Sequence, residues 1–121
     1  MNNFSLLGRI NWLDCKYTEY GNCITKIILA KKKPKSDEYE SFPIVFFNTK
    51  NDNTAEKLAE YCKVGDYLKI TGQLGINRYA PKNSDKVQEK ISLTGWSFVP
   101  VEWDSGQNKY IDKEIQTETS A

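Results

Sequence analysis

Four lysines within five positions, Lys31, Lys32, Lys33 and Lys35, follow directly on the apolar run IILA. The chemistry open to such a cluster is neutralisation of phosphate charge, although a lysine run taken alone is more often just a solvated segment. Shortly afterwards, SFPIVFFN (41–48) puts Phe42, Ile44 and Phe46 on one face of an extended segment and Val45 and Phe47 on the other. A strand that is apolar on both sides is either fully buried or keeps one face for a ligand.

What is missing narrows the chemistry further. The chain has no histidine, so a Ser-His-Asp triad, a Cys-His pair and a His-Glu-x-x-His zinc helix cannot be assembled within it. Cys15, Cys23 and Cys62 match no zinc spacing, and an odd number of cysteines reads as reduced, structural thiols. No clustered acids at metal spacing and no phosphate-cradling glycine loop occur, so a non-catalytic protein without a cofactor is expected. The 121 residues suit one domain, and 17 basic against 16 acidic residues leave a net charge of +1, too small to indicate a partner. No apolar run is long enough to span a bilayer and the start lacks signal-peptide character, which predicts a soluble, cytoplasmic protein with no membrane partner.

The elements that must position these residues are mostly short strands. FSLLGRINW (4–12) is strand-like, with Gly8 marking a bulge or bend, and Tyr20-Gly21-Asn22 reads as a turn. In the second strand, Ile24 to Ala30, Ile27 and Leu29 face one way and Lys26, Ile28 and Ala30 the other. KKKPKSDEYE is an exposed loop, basic at its start and acidic at its end, before the third strand. Asn53 is placed to cap a short helix, TAEKLAEYC, that stops at Lys63-Val64-Gly65-Asp66. Leu68, Ile70 and Leu74 alternate with polar residues in a fourth strand. Val87 to Val99 forms a fifth, whose inward set changes phase at Gly95, as a bulge produces. Ala80 to Lys86 is a polar hairpin tip. Five strands with one short helix between the third and fourth predict an all-β, five-stranded OB-fold barrel, a fold whose second and third strands and flanking loops bind oligonucleotides or oligosaccharides.

Several stretches carry a resemblance to a known family, in the right order and spacing. They are LLGRINW with Lys16-Tyr17-Thr18 and Gly21, IILAKKK, IVFFNTKNDNTAEKLAEYCKVGDYLKITGQL, and Gly72-Gln73-Leu74 followed by Arg78-Tyr79. From Asn2 to about Val101 the chain resembles the bacterial and phage single-stranded DNA-binding proteins. The resemblance implies an OB fold and sequence-tolerant binding of single-stranded DNA during replication or recombination. It places stacking aromatics at Phe47 and Tyr79. A further stacking position of the family falls here on Lys33-Pro34-Lys35, for which Tyr39, later in the same loop, is a substitute. Trp12 is added as a platform because a tryptophan facing out from a strand end is costly to leave exposed without use.

Binding of this kind combines aromatic platforms with a basic groove that follows the phosphates. The basic candidates are Arg9, Lys26, Lys31, Lys32, Lys33, Lys35, Lys50, Lys69, Arg78, Lys82 and Lys86, while Trp96 and Phe98 are assigned to the core or to a subunit interface. Residues 1–103 are read as the DNA-binding domain, with 15 basic and 12 acidic residues, and 104–121 as a polar, disordered tail. The resemblance implies a homo-oligomer, tetramer or dimer. The family's acidic Pro-Phe tip is absent from the end of the sequence, so partner recruitment through it is not expected. Tipless forms suit a phage or mobile element. The rival reading is an OB-fold adaptor for a replication protein or RNA, of the primosome accessory type, which a loss of groove aromatics would favour.

Overall fold

The computed structural model describes residues 2–49, 52–80, 86 and 88–113. Its elements are β1 (Asn3–Tyr17), β2 (Cys23–Lys32), β3 (Tyr39–Phe47), α1 (Thr54–Tyr61), β4 (Tyr67–Tyr79), β5 (Gln88–Asp104) and β6 (Lys109–Asp112). They form one sheet in the order β3-β2-β1-β4-β5-β6, and parallel pairing of β3 with β5 closes the first five strands into a barrel. This is the expected OB arrangement, with the single helix between β3 and β4.

The long first strand serves two neighbours. Asn3 to Arg9 pair with β4, and Arg9 to Tyr17 pair with β2. The change of partner needs close approach at Gly8, where a Cβ would sit 2.6 Å from the carbonyl oxygen of Ala30. The bulge itself lies three residues later, where the register skips between Ile10 and Trp12. Gly8 therefore marks a tight crossing rather than the bulge, and the strand continues five residues past the Trp12 at which its pattern fades.

Alternation builds the core. Ile10, Ile27, Leu29, Ile44, Phe46, Leu68 and Ile70 are all fully or almost fully buried, and α1 closes one end of the barrel with Ala55 and Leu58. Thr25 Oγ1 donates a 2.7 Å hydrogen bond to the Ala55 carbonyl, joining β2 to the helix. Asn53 stands at the helix start but makes no side-chain cap. Asn48 Oδ1 instead accepts the Glu56 N–H at 3.2 Å, because β3 ends directly over the first turn. At the other end, Gly65 takes φ +102° and its N–H reaches the Ile10 carbonyl at 2.8 Å, tying the helix exit to β1.

The chain does not leave the barrel at 103. β5 runs on to Asp104, whose Oδ1 accepts the N–H groups of Gly106 and Gln107, and Asn108 adopts φ +56° to complete the turn. Lys109–Asp112 then pairs back onto β5. The expected start of a disordered tail thus falls inside a hairpin, which a four-residue strand is too short to announce by periodicity. The remainder of that tail, 114–121, lies outside the described residues.

The three cysteines pack inside. Cys15 and Cys23 bring their sulfurs within 2.8 Å, and Cys62 is buried beneath the helix exit. Burial pushes the Cys62 thiol up to about 12, with the charge of Asp66 adding to the effect.

Two predictions follow from this core. Ile70→Ala should cost about 2–5 kcal/mol in denaturant unfolding, and a loss below 1 kcal/mol would mean that the site is not close-packed. Because the folded state holds the Cys62 proton more tightly than the unfolded chain, its contribution is complete below about pH 9 and declines as pH rises toward 12. The melting temperature of the reduced protein should fall above about pH 9, and less steeply in Cys62→Ala; equal slopes in both would contradict the assignment.

Candidate nucleic-acid interface

Burial of Ile44 and Phe46 decides which way their neighbours point. Strand residues alternate between faces, so Pro43, Val45 and Phe47 are turned to the outside of the barrel. The register places outward residues of three strands in rows: Phe47 beside Ile24 and Lys16, Val45 beside Lys26 and Asp14, and Pro43 beside Ile28 and Trp12. Farther along come Ser41, Ala30 and Arg9, then Tyr39 beside Lys32. From Phe47 to Tyr39 the face extends over eight residues, about 26 Å at the rise of an extended strand.

The aromatic side chains on this face are open. Phe47 and Trp12 each keep 45% of their surface exposed, and Tyr39 keeps 63%. Between them Ile24, Ile28 and Val45 are half-buried, giving an apolar floor crossed by the exposed ammonium of Lys26. Phe47 also forms the ridge between two grooves. One, of about 330 Å³, runs between β3 and the β4–β5 arm and is lined by Val45, Lys90, Ile91 and Leu93. The other, of about 280 Å³, runs toward α1 and is lined by Asp52, Thr94 and Trp96.

Trp96 is not a core residue. The β4–β5 register skips one residue between Thr71 and Gly72, leaving Trp96 as the extra member of a bulge and 47% exposed. Phe98 does pack on the core, meeting Phe46 edge-on at 6.2 Å between ring centres. The phase change at Gly95 was visible in the sequence, and it was the signal that Trp96 leaves the inward set.

The basic candidates divide by location. Arg9, Lys26 and Lys32 share the outward face of β1–β3, and Lys31 is exposed at the end of β2. The acidic end of the loop folds back on its basic start: Lys33 pairs with Glu38 at 3.3 Å and Lys32 with Asp37 at 3.7 Å, while Lys35 is exposed at φ +58°. Such solvent-facing pairs are worth little, so a phosphate can replace the carboxylate at small cost. Lys69 lies on β4, away from the β1–β3 face, and is held by Asp112 at 2.6 Å. Arg78 pairs with Glu89 at 3.2 Å across the β4–β5 arm, and Lys86 is exposed near the arm's tip. Lys50 and Lys82 lie outside the described residues. Tyr79 is paired with Gln88 through its backbone, and its side chain lies outside the described part.

Among the described residues no group of three His, Cys, Asp or Glu side chains is placed to hold a metal ion. No helix among them is long and apolar enough to cross a membrane.

Comparison with known proteins agrees with this fold. The chain is 31% identical over 96 residues to Single-stranded DNA-binding protein 2 of Nostoc sp., a match covering 78% of this chain and 72% of that one. Its fold superposes on Plasmodium falciparum SSB, solved in complex with single-stranded DNA, with a TM-score of 0.65 at 17% identity, over 84% of this chain and 96% of that one. Residues 1–98 match the pattern that defines the single-strand binding protein family, and the chain belongs to that family.

Proposed function

We propose that this chain binds single-stranded DNA along the outward face of β1, β2 and β3, without reading sequence and without catalysis. The observation that carries this reading is the pair of large aromatics, Phe47 and Trp12, each nearly half exposed over an apolar floor with Lys26 between them. Every base has a π-face, so stacking on Phe47, Trp12 and Tyr39, with Tyr79 on the arm, is tolerant of sequence. Arg9, Lys26, Lys31, Lys32, Lys33 and Lys35 neutralise the backbone along this face, Arg78 and Lys86 do so toward the arm, and Lys50 and Lys82 are assigned the same role. Lys69, committed to Asp112, contributes mainly to the field. Because a duplex hides its base faces, the protein shifts the melting equilibrium toward single strands by mass action. That activity protects strands exposed during replication or recombination, which places the protein in the cytoplasm of a cell or of a phage-infected host.

The protein acts as a homo-oligomer. Asn3 to Gly8 of β1 are paired to β4 on one side only, and an open edge of this kind favours association. An adaptor role would be favoured by loss of groove aromatics; one family position is lost to Lys33-Pro34-Lys35, but Phe47 keeps its place and Trp12 and Tyr39 add exposed rings to the same face.

Binding should be far tighter to single-stranded DNA than to duplex of equal length, and log affinity should fall with log salt by about 0.7 per phosphate contacted. Equal affinity for duplex, or no salt dependence, would contradict the proposal. Phe47→Ala should weaken binding by about 1–3 kcal/mol with the melting temperature nearly unchanged. A steep drop in melting temperature with unchanged binding per folded molecule would make Phe47 a packing residue.

A further inference from the structure

We infer that Tyr67 of β4 and Trp103 and Tyr110 of the β5–β6 hairpin form a second stacking platform, which extends the single-stranded DNA path past Arg9 onto the β4–β5–β6 face. The inference rests on the DNA-binding reading above and adds residues to it. Trp103 and Tyr110 lie beyond residues 1–98, the span that matches the family.

The platform is built by register. Tyr67 is opposite Arg9 on β1 and Val101 on β5, and Trp103 is opposite Tyr110 on β6, so these side chains share one outward face. The rings order one another. Tyr67 and Tyr110 stack with centres 5.6 Å apart at 30°, and Trp103 meets Tyr110 edge-on at 5.1 Å. All three nevertheless remain more than a third exposed, which leaves aromatic surface for a base.

Continuity with the β1–β3 face is provided by Arg9, which pairs with Ala30 of β2 on one side and Tyr67 of β4 on the other. There a groove of about 310 Å³ opens, lined by Arg9, Lys31, Lys32, Tyr39, Tyr67 and Tyr110. It brings three cations and three aromatic rings together, the combination that a nucleotide needs. Of the acids nearest in the chain, Asp112 is paired with Lys69, Asp104 accepts the turn N–H groups of Gly106 and Gln107, Asp66 accepts the Lys63 N–H, and alternation turns Glu102 to the opposite face from Trp103. Among the described residues Lys32 is the one of the three cations with an acidic partner, Asp37, in a solvent-facing pair. Charge and ring surface together therefore select a polyanion with stackable bases as the occupant.

The test uses the full chain with labelled dT oligomers of about 8 and about 16 nucleotides, spanning the range of site sizes per OB fold. Tyr110→Ala should weaken binding of the longer oligomer about 5- to 100-fold and leave the shorter one, held by Phe47 and Trp12, nearly unchanged; Tyr110→Phe should restore it. In a Trp12→Phe, Trp96→Phe chain, Trp103 is the sole tryptophan and should be quenched by the longer oligomer. Because this readout leaves the hairpin intact, it holds even if Tyr110→Ala frays β6. If the unaltered chain binds neither oligomer, the DNA-binding reading fails and this inference with it. If it binds both while Trp103 is unquenched and Tyr110→Ala binds normally, the platform is overturned and the DNA-binding reading stands. A change in sedimenting mass in Tyr110→Ala with unaltered binding per protomer would likewise overturn it, making the rings a contact between copies.

Discussion

The parallel contact that closes the barrel, Phe46 of β3 against Gly95 of β5, is the constraint on which the interface depends. A Cβ at position 95 would clash with two carbons of the Phe46 ring, so only glycine lets the two strands meet. With Phe46 anchored inward, alternation leaves Phe47 no orientation but outward. Directly after that contact a bulge in β5 turns Trp96 outward. Phe47 and Trp96 then face the same groove. Each side of this one core contact is thus followed by an exposed aromatic.

The charges follow a looser logic. Lys32 and Lys33 are paired with acids from their own loop, and both pairs are solvent-exposed. In water such pairs contribute little, so a competing anion can displace the carboxylates at small cost. Lys26 is different, because it stands on the apolar floor between Phe47 and Trp12, where the proposed path would carry a phosphate past it.

The strands, the helix and the barrel were legible because burial imposes strict periods: Ile27 and Leu29 against Lys26 and Ile28, or Leu68 and Ile70 against Lys69. Phe47 was legible for the same reason, as the odd member of a two-faced apolar strand. Where local spacing carried no signal, reading failed. Asn53 had the right type for a cap, yet Asn48 does the work because the third dimension brings the end of β3 over the helix. Lys69 alternates as expected on β4, but its pairing with Asp112 of β6 could not be foreseen, because that strand shows no period. Of the two places expected for Trp96, the core or a subunit interface, its exposure removes the core, and the neighbouring Gly95 marked the bulge that turns it out. The DSGQN turn before Lys109 was likewise a usable sign of a hairpin, with Asp, Gly and Asn in turn positions, but four residues of strand show no period.

The central claim is that bases lie on the outward face of β1–β3. Ultraviolet irradiation of the protein with oligo-dT, followed by peptide mass spectrometry, reads this directly, since thymine stacked on an aromatic ring crosslinks to it. Crosslinks should fall on Phe47, Trp12 and Tyr39, should be lost from each position when it is replaced by alanine, and should diminish with salt. Crosslinks confined to α1, or to peptides carrying none of these three rings, would contradict the account.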